Sequence, residues 1–270
     1  MFTATTFYRI CIGLMGAVSV RGDCLIEPDK DGSVVISDGT ETIAPGAFSD
    51  CDALKKIVIP ASVKNIGKFA FDSAVNLKEV VFREGSNLEE IDYAAFYNCG
   101  SLEKFDFPKS LKKLGRSAFS SSGLKKALFF KNGIGVIGHD AFSFCKSLKK
   151  IKFPRSLKRI GARAFWESGL EEVYFRNNIS KDRSLESIGN KAFRGNKNLK
   201  TINVPTGVDI GEKAFIGTGC RNPSDLFVPG ATDRGLLFGG VDIGPEAFQL
   251  TGCTSDMFVP GATIVDCSLE

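Results

Sequence analysis

The amino-acid sequence predicts a repeat solenoid, in which the chain winds into stacked coils. The dipeptide Ala-Phe recurs along the chain at spacings of 23, 25, 23, 23, 23, 28, 22 and 33 residues. Phenylalanine is in excess, with 23 copies against four Tyr and one Trp, which is typical of an interior position that recurs. A unit of this length cannot bury its own inner face, so we expect successive units to stack. The nine repeated phenylalanines are Phe48, Phe71, Phe96, Phe119, Phe142, Phe165, Phe193, Phe215 and Phe248.

Each unit combines a strand, a corner and a turn. Six residues after most of these phenylalanines, a Leu opens a run of the form Leu-x-x-Ile-x-Phe-Pro, such as "LKKIKFP" at 148–154. Its alternating apolar residues have strand periodicity. The Pro ends the strand, and a Gly after the next Ile or Leu predicts a bend before Ala-Phe. We therefore expect one Phe per unit to stack on its neighbours in a continuous spine.

The whole unit resembles a known repeat family. The pattern "IGxxAFxxCxxLxxIxFPxSLKx", clearest at Ile137–Arg159 and Leu114–Lys131, is a leucine-rich repeat similar to the BspA-like subfamily of bacterial and protist surface proteins. The resemblance covers about Thr40–Thr263. It implies a curved right-handed coil with a parallel β-sheet on the concave face and short strands, turns and 3-10 pieces on the convex side. At family level it implies adhesion or other protein–protein contact.

One domain is expected. About nine units fill residues 34–263 of a single domain spanning 21–270, and the alternation between Val34 and Ile43 predicts a capping strand pair. Residues 1–20 are interpreted as a signal peptide or an N-terminal cap, because Arg9 precedes an apolar run. The sequence contains no run of about 20 apolar residues, so no transmembrane helix is predicted. We expect a secreted or cell-surface protein, with an intracellular location as the alternative.

Charge is unevenly distributed along the chain. The net charge is +4, yet residues 109–163 hold fifteen Lys or Arg and one acid, giving +14 there and −10 elsewhere. Such an arrangement could steer a charged partner.

Strand alternation predicts the binding face. Residues flanking the inward Ile of each strand point outward, in rows that run from unit to unit. A mixed surface of this kind suits another protein or an anionic surface polymer, the alternative being a solvated face. The candidate residues are Lys104, Lys126, Leu128, Lys150, Lys152, Tyr174, Phe227 and Phe258.

A second candidate is a basic ridge after the Pro corner, which could bind polyanions such as sulfated glycans. Nucleic acid is disfavoured because the aromatic residues are used as core and not as a stacking platform. No cofactor is implied. The alternative to a binding module is a structural subunit of a larger assembly. The ridge consists of Lys112, Lys113, Lys158 and Arg159.

A catalytic site formed by Cys145 and His139 is disfavoured. Cys145 follows its Phe by three residues, in a slot that other units fill with Cys, Ser, Ala or Asn, which predicts a small, half-buried position. His139, the only histidine, occupies a variable slot expected to face solvent. One His and scattered Cys predict no metal site, and no phosphate loop or serine elbow is present. We expect no enzyme.

The distance between stacked coils indicates which cysteines could form a disulfide. Coils stacked at about 4.8 Å would hold Cys51, Cys99 and Cys145 about 9–10 Å apart, beyond the ~7 Å limit for a disulfide, so free thiols are predicted. Cys220 and Cys253 share a position in consecutive units and are a candidate disulfide. Cys24 and Cys267 have no assignment.

Two short motifs complete the candidates. Asn178 begins the sequence Asn-Ile-Ser, a candidate glycosylation site in an insertion between units. Arg21-Gly22-Asp23 matches an integrin-binding tripeptide, but a triplet of this kind occurs by chance in chains of this length.

Overall fold

The computed structural model describes residues 24–129, 133–175, 185–200, 202, 204–205 and 208–219 of the chain. It confirms the repeat solenoid, because all its strands pair in parallel between successive units. The described residues contain strands and turns, and no α- or 3-10 helix. We number the coils 1 to 8 by their phenylalanines Phe48, Phe71, Phe96, Phe119, Phe142, Phe165, Phe193 and Phe215.

The strands fall into two classes by length. Longer strands come from the Leu-x-x-Ile-x-Phe segments and two-residue strands from the segment before Ala-Phe. In chain order they are β1 (Ser33–Val35), β2 (Thr42–Ile43), β3 (Lys56–Ile59), β4 (Asn65–Ile66), β5 (Glu79–Phe82), β6 (Glu90–Ile91), β7 (Lys113–Leu114), β8 (Lys126–Leu128), β9 (Val136–Ile137), β10 (Lys150–Phe153), β11 (Arg159–Ile160), β12 (Glu172–Phe175), β13 (Ser187–Ile188) and β14 (Asp209–Ile210).

The two strand classes build separate layers. The two-residue strands form one continuous eight-stranded sheet, the short-strand sheet, in the order β14-β13-β11-β9-β7-β6-β4-β2. The longer strands form two three-stranded sheets, β1-β3-β5 and β12-β10-β8, which we call the long-strand sheets. Both strands of the predicted N-terminal pair exist, but β1 pairs with β3 and β2 with β4.

The phenylalanine spine is confirmed over coils 1 to 8. Each ring lies parallel to the next, with centroid separations from 4.8 to 5.6 Å and interplanar angles of 10° or less. All eight rings are buried. Burying a Phe side chain contributes about 1.5–3 kcal/mol, so the spine is a principal source of stability.

The gap between the long-strand sheets lies at coil 3. There Phe105 takes the inward position that Ile57 or Ile151 takes in other coils, and its ring contacts the spine rings of Phe96 and Phe119 at 5.2 and 4.8 Å. The next coil has the small Ala127 at this position. Residues 102–107 form no strand, and the bulkier ring accounts for this interruption.

The turns around Ala-Phe have a repeated backbone conformation. We number turn positions from the coil's Phe, so that Asp140 is at −2 and Phe144 at +2 of coil 5. Both have positive φ, 55° and 59°, and in all eight coils positions −2 and +2 are left-handed. Amides here donate to the next coil, as from Phe142 N to Ala164 O at 2.7 Å. Turns as well as strands therefore hold the coils together.

The glycine four residues before the Phe, present in coils 2 and 4 to 8, allows close contact between coils. A Cβ on Gly138 would lie 2.5 Å from the carbonyl carbon of Gly115 in the preceding coil. In these coils the expected bend is therefore also a place where two backbones touch.

In coils 1 to 7 the slot three residues after the Phe is buried, not half-buried as expected. Ser, Cys and Asn are accepted there because their polar groups reach backbone carbonyls. Cys145 Sγ lies 2.9 Å from Phe119 O, and Asn196 Nδ2 donates to both Phe165 O and Phe193 O. The slot residues are Cys51, Ala74, Cys99, Ser122, Cys145, Ser168 and Asn196.

The free thiol predicted for Cys51 is wrong. Cys51 forms a disulfide with Cys24, with a Cα–Cα distance of 5.2 Å. Cys24 belongs to an N-terminal segment outside the repeat, which covers coil 1 through the bond from Leu25 N to Ala47 O, so unit spacing could not reveal the pairing. Cys99 and Cys145 are free, as predicted, and both are buried.

Candidate binding surface

The outer face of the long-strand sheets carries the two predicted rows. In the first, Lys56 pairs in register with Glu79, and Lys150 lies between Lys126 and Glu172. The second contains Val58 beside Val81, and Lys152 between Leu128 and Tyr174. These pairings confirm the predicted register over the described strands. The face also includes β1, where Val35 lies beside Val58.

The N-terminal part of this face is apolar. Val35, Val58 and Val81 form a valine row across β1, β3 and β5, and Val35 is 57% exposed. Beside the row, Lys56 pairs with Glu79 at 2.9 Å. The valine row therefore lies beside an ion pair, and not beside an unpaired charge.

The other end of the face is organised around Glu172. Its carboxylate accepts hydrogen bonds from Lys150 and from the Tyr174 hydroxyl. Both bonds favour the charged carboxylate, first that from Lys150, and lower the pKa of Glu172. The same contacts raise the pKa of Lys150 and of Tyr174. Lys150 and Tyr174 are thus held side by side on the surface.

Stacking neutralises much of the predicted basic block, because glutamates of the flanking coils lie beside it. Exposed pairs of this kind contribute only about 0–1 kcal/mol each, so their main effect is on the surface field. The pairs are Lys112–Glu89, Lys113–Glu90, Lys125–Glu103, Lys149–Glu171, Lys150–Glu172 and Lys158–Glu186. The charge count of +14 therefore overstates the local positive potential.

Two cations of the long-strand face remain without an ion pair among the described residues. Lys126 and Lys152 are both exposed. They lie on the neighbouring strands β8 and β10, where Lys126 pairs in register with Lys150, and Lys152 with Leu128. Lys104 in coil 3 instead pairs with Asp106 at 2.8 Å. Positive charge available to a partner on this face is thus concentrated at Lys126 and Lys152.

A family model of the BspA type leucine rich repeat region matches residues 30–133 and 126–229, with six copies of the repeat. The chain belongs to this family.

Solved structures of leucine-rich repeat proteins are also similar to this BspA-type chain. The T. pallidum leucine rich repeat protein is 28% identical, with a TM-score of 0.47 over 70% of this chain and 77% of that one. A leucine-rich repeat protein from Bacteroides ovatus is 20% identical, with a TM-score of 0.43 over 80% and 84%. The pneumococcal vaccine antigen PcpA is 23% identical, with a TM-score of 0.42 over 83% and 67%. No curated protein is significantly similar in sequence.

The basic ridge of this BspA-type chain lies at the short-strand sheet. Lys113 and Arg159 fall in one row, separated by Val136. Lys112, Lys113 and Lys158 are ion-paired with glutamates, whereas Arg159 has no ion pair within the described part of the chain. The ridge consequently carries less unpaired positive charge than its four basic residues suggest.

The BspA-type coil keeps His139 and Cys145 in different surroundings. His139 is exposed, and Cys145 is buried with its thiol against Phe119 O and the Ser122 hydroxyl. Burial raises the pKa of Cys145 to about 11, which disfavours the thiolate that a nucleophile needs. Across the described ranges, no group of three or more His, Cys, Asp or Glu could hold a metal ion.

Several sequence candidates lie outside the described residues. These are residues 1–20, Arg21-Gly22-Asp23, Asn178, Cys220, Cys253, Phe227 and Phe258. Of Leu128 only the backbone is described. In the described residues no helix has the length and apolar character required to cross a membrane.

Proposed function

We propose that this BspA-type repeat protein is a non-enzymatic binding module at the cell surface or in the secreted space. Its long-strand face binds another protein or an anionic surface polymer, and Lys126 and Lys152 contact the partner's negative groups. The observation that carries this is the contrast on one face: Lys56, Lys104 and Lys150 are ion-paired, whereas Lys126 and Lys152 are exposed without an ion pair among the described residues.

The rest of the face supports the same proposal. The exposed Tyr174 is held by Glu172, and aromatic side chains presented in a fixed orientation are frequent at protein interfaces. The valine row adds an apolar contact at the N-terminal end. A partner with an acidic segment and an apolar segment fits both ends.

The disulfide supports the proposed location. Disulfides persist in oxidising compartments and are rare in the cytosol. The Cys24–Cys51 disulfide links the N-terminal segment to coil 1. The segment can therefore serve as the cap that the exposed end of a repeat core requires.

The experiment compares two charge-matched double variants on immobilised heparin and on an immobilised polyglutamate peptide. Lys126→Glu with Lys152→Glu reverses the two cations of the face. Lys109→Glu with Lys146→Glu reverses two exposed cations elsewhere that also lack ion pairs among the described residues. We expect the first variant to elute from one of the probes at lower salt than the second, because contact charges matter more than net charge. Equal elution of the two variants from both probes would sink the proposal.

A further inference from the structure

The turns of coils 6 and 7 form a second surface, which lies between the short strand and the long-strand segment of each coil. We define this surface as residues 161–169 and 189–197 together with Phe144 of coil 5, and call it the turn patch. It contains none of the residues of the long-strand face. It brings aromatic side chains and cations together, a combination that is frequent at protein interfaces.

The aromatic part of the turn patch is a row of three side chains from successive coils. Trp166, the only tryptophan of the chain, lies at the centre of the row in coil 6. The ring centroid of Phe144 in coil 5 is 5.1 Å from that of the indole. From coil 7, the guanidinium carbon of Arg194 lies over the indole at 6.0 Å from its centroid. This cation–π contact holds Arg194 in one orientation at the surface.

The basic part of the turn patch lies in coil 7. Residues 189–197 contain three cations, Lys191, Arg194 and Lys197, and no acidic residue. None of the three has an ion pair within the part of the chain that the structure describes. The turn of coil 6 is neutral overall, with one arginine and one glutamate, so the turn patch carries +3. A surface of this charge attracts an acidic partner.

A buried hydrogen-bond donor lies in the same surface. The indole Nε1 of Trp166 is buried and has no acceptor among the described residues. A buried indole N–H ordinarily has a partner, because an unsatisfied buried donor costs about 1–3 kcal/mol. A ligand that supplies an acceptor oxygen removes this cost. The donor therefore indicates, independently of the charge, that the turn patch suits a group with acceptor oxygens.

These features favour a carboxylate next to apolar side chains as the group that is bound. The planar guanidinium of Arg194 matches the two oxygens of a carboxylate, and the lysines of coil 7 supply further positive charge. A nucleic-acid base or a sugar ring stacks on an open aromatic face, but the indole has Phe144 on one side and Arg194 on the other. Phe144 is 37% exposed and offers an apolar contact beside the cations. An acidic segment of a protein fits both parts of the turn patch.

We propose that the turn patch binds an acidic segment of another protein. One carboxylate of the segment accepts hydrogen bonds from Arg194 and from the indole N–H of Trp166, and another is attracted by Lys191 and Lys197. Because Nε1 is buried in the free protein, the indole or the guanidinium shifts when this contact forms. The turn patch is separate from the long-strand face, so one chain can engage two acidic segments.

Tryptophan fluorescence of the full chain tests the proposal, because Trp166 is its only tryptophan and lies in the turn patch. The probe is a short peptide of Glu and Leu residues, and the control is the same peptide with Gln in place of Glu. We expect the Glu peptide to change the tryptophan emission in a saturable manner and the Gln peptide to leave it unchanged. The variant Lys126→Glu with Lys152→Glu, on the long-strand face, should keep the response.

Two double variants of equal charge locate the bound peptide. Lys191→Gln with Lys197→Gln leaves the aromatic row and its arginine in place, so the emission still reports binding. We expect this variant to bind the Glu peptide about fivefold more weakly or worse, because it removes two contact charges. Lys30→Gln with Lys78→Gln removes two exposed cations elsewhere and should leave the affinity unchanged.

The opposite results overturn the proposal. Equal affinities of the two double variants, or an equal response to the Gln peptide, show that the acidic side chains are not recognised at the turn patch. Loss of the response in the long-strand variant shows that the peptide binds the other face. No response to the Glu peptide also overturns the proposal, and a response to a heparin oligosaccharide in its place identifies a sulfated glycan as the ligand.

Discussion

The ring of Phe71 lies parallel to the ring of Phe96 in the next coil, 4.8 Å away and tilted by only 7°. The same relationship recurs from coil 1 to coil 8, so each spine ring between the ends has a parallel ring on both sides. Stability therefore depends on contacts between neighbouring coils more than on contacts within one coil.

The first prediction concerns the middle of this spine. Phe119→Ala should lower the free energy of unfolding by about 3–5 kcal/mol, because it leaves a cavity between Phe96 and Phe142. Chemical denaturation followed by circular dichroism measures it. The control is Phe69→Ala at an exposed position in the turn of coil 2, where we expect a much smaller loss. Equal losses would show that the spine is not the main support.

The second prediction tests the contact between backbones at Gly138. Gly138→Ala should destabilise the protein by about 1–3 kcal/mol, because its Cβ would clash with the Gly115 carbonyl group. Gly100→Ala is the control, since a Cβ there meets no atom within 4 Å. Thermal unfolding of both variants checks the difference. A Gly138→Ala protein as stable as the control would contradict the close packing of the coils.

The third prediction concerns the N-terminal disulfide. Replacing Cys24 and Cys51 by Ser and Ala respectively should cost about 3–4 kcal/mol on a chain-entropy estimate, for a sequence separation of 27 residues. Denaturation with and without reductant measures the effect, and the double variant should no longer respond to reductant through this bond. Non-reducing peptide mapping should recover Cys24 and Cys51 as one linked pair. Recovery of either as a free thiol would rule the bond out.

The fourth prediction follows from the buried thiol of Cys145. Burial raises its pKa from 9.0 to about 11, so the unfolded chain loses this proton at lower pH than the folded protein. Between these values the unfolded state binds fewer protons, and stability falls as pH rises. Denaturation midpoints at pH 8 and pH 10 should therefore differ less in Cys145→Ser than in the parent. Ser is accommodated at this slot, as Ser122 and Ser168 show.

A companion measurement addresses the reactivity of the same thiol. Iodoacetamide at pH 8 should leave Cys145 unmodified in the folded protein and modify it after denaturation, as read by peptide mass. Rapid modification of Cys145 in the folded protein would mean that the slot is open to solvent, contrary to its burial.

Prediction from sequence succeeded where one unit repeats its own pattern. The phenylalanine spine, the strand registers and the slot for small residues around Cys145 follow from the period, because equivalent residues of stacked coils must meet. It failed at Cys51, whose partner lies outside the repeat. It also missed the interruption at Phe105, where a larger side chain occupies a strand position. The unchanged pattern of apolar and polar residues gave no sign of that difference.

The candidate surfaces were less accessible to sequence reasoning than the fold. Outward rows could be assigned by alternation, yet the charge they present depends on which cation meets a glutamate of the next coil. Lys150 and Lys152 look alike in the sequence, but Lys150 is paired with Glu172, and Lys152 has no ion pair among the described residues. The left-handed conformation at turn positions −2 and +2 was missed because these residues share no residue type.

The sequence by itself determined the solenoid, its spine and its family, because the energy of a repeat fold comes from identical positions stacking on one another. Only the tertiary structure decided which charges remain available, where the sheet is interrupted and how the N-terminal end is closed. Those features arise between residues of different coils or outside the repeat, at distances set by stacking. They therefore depend on the particular pairs that packing brings together.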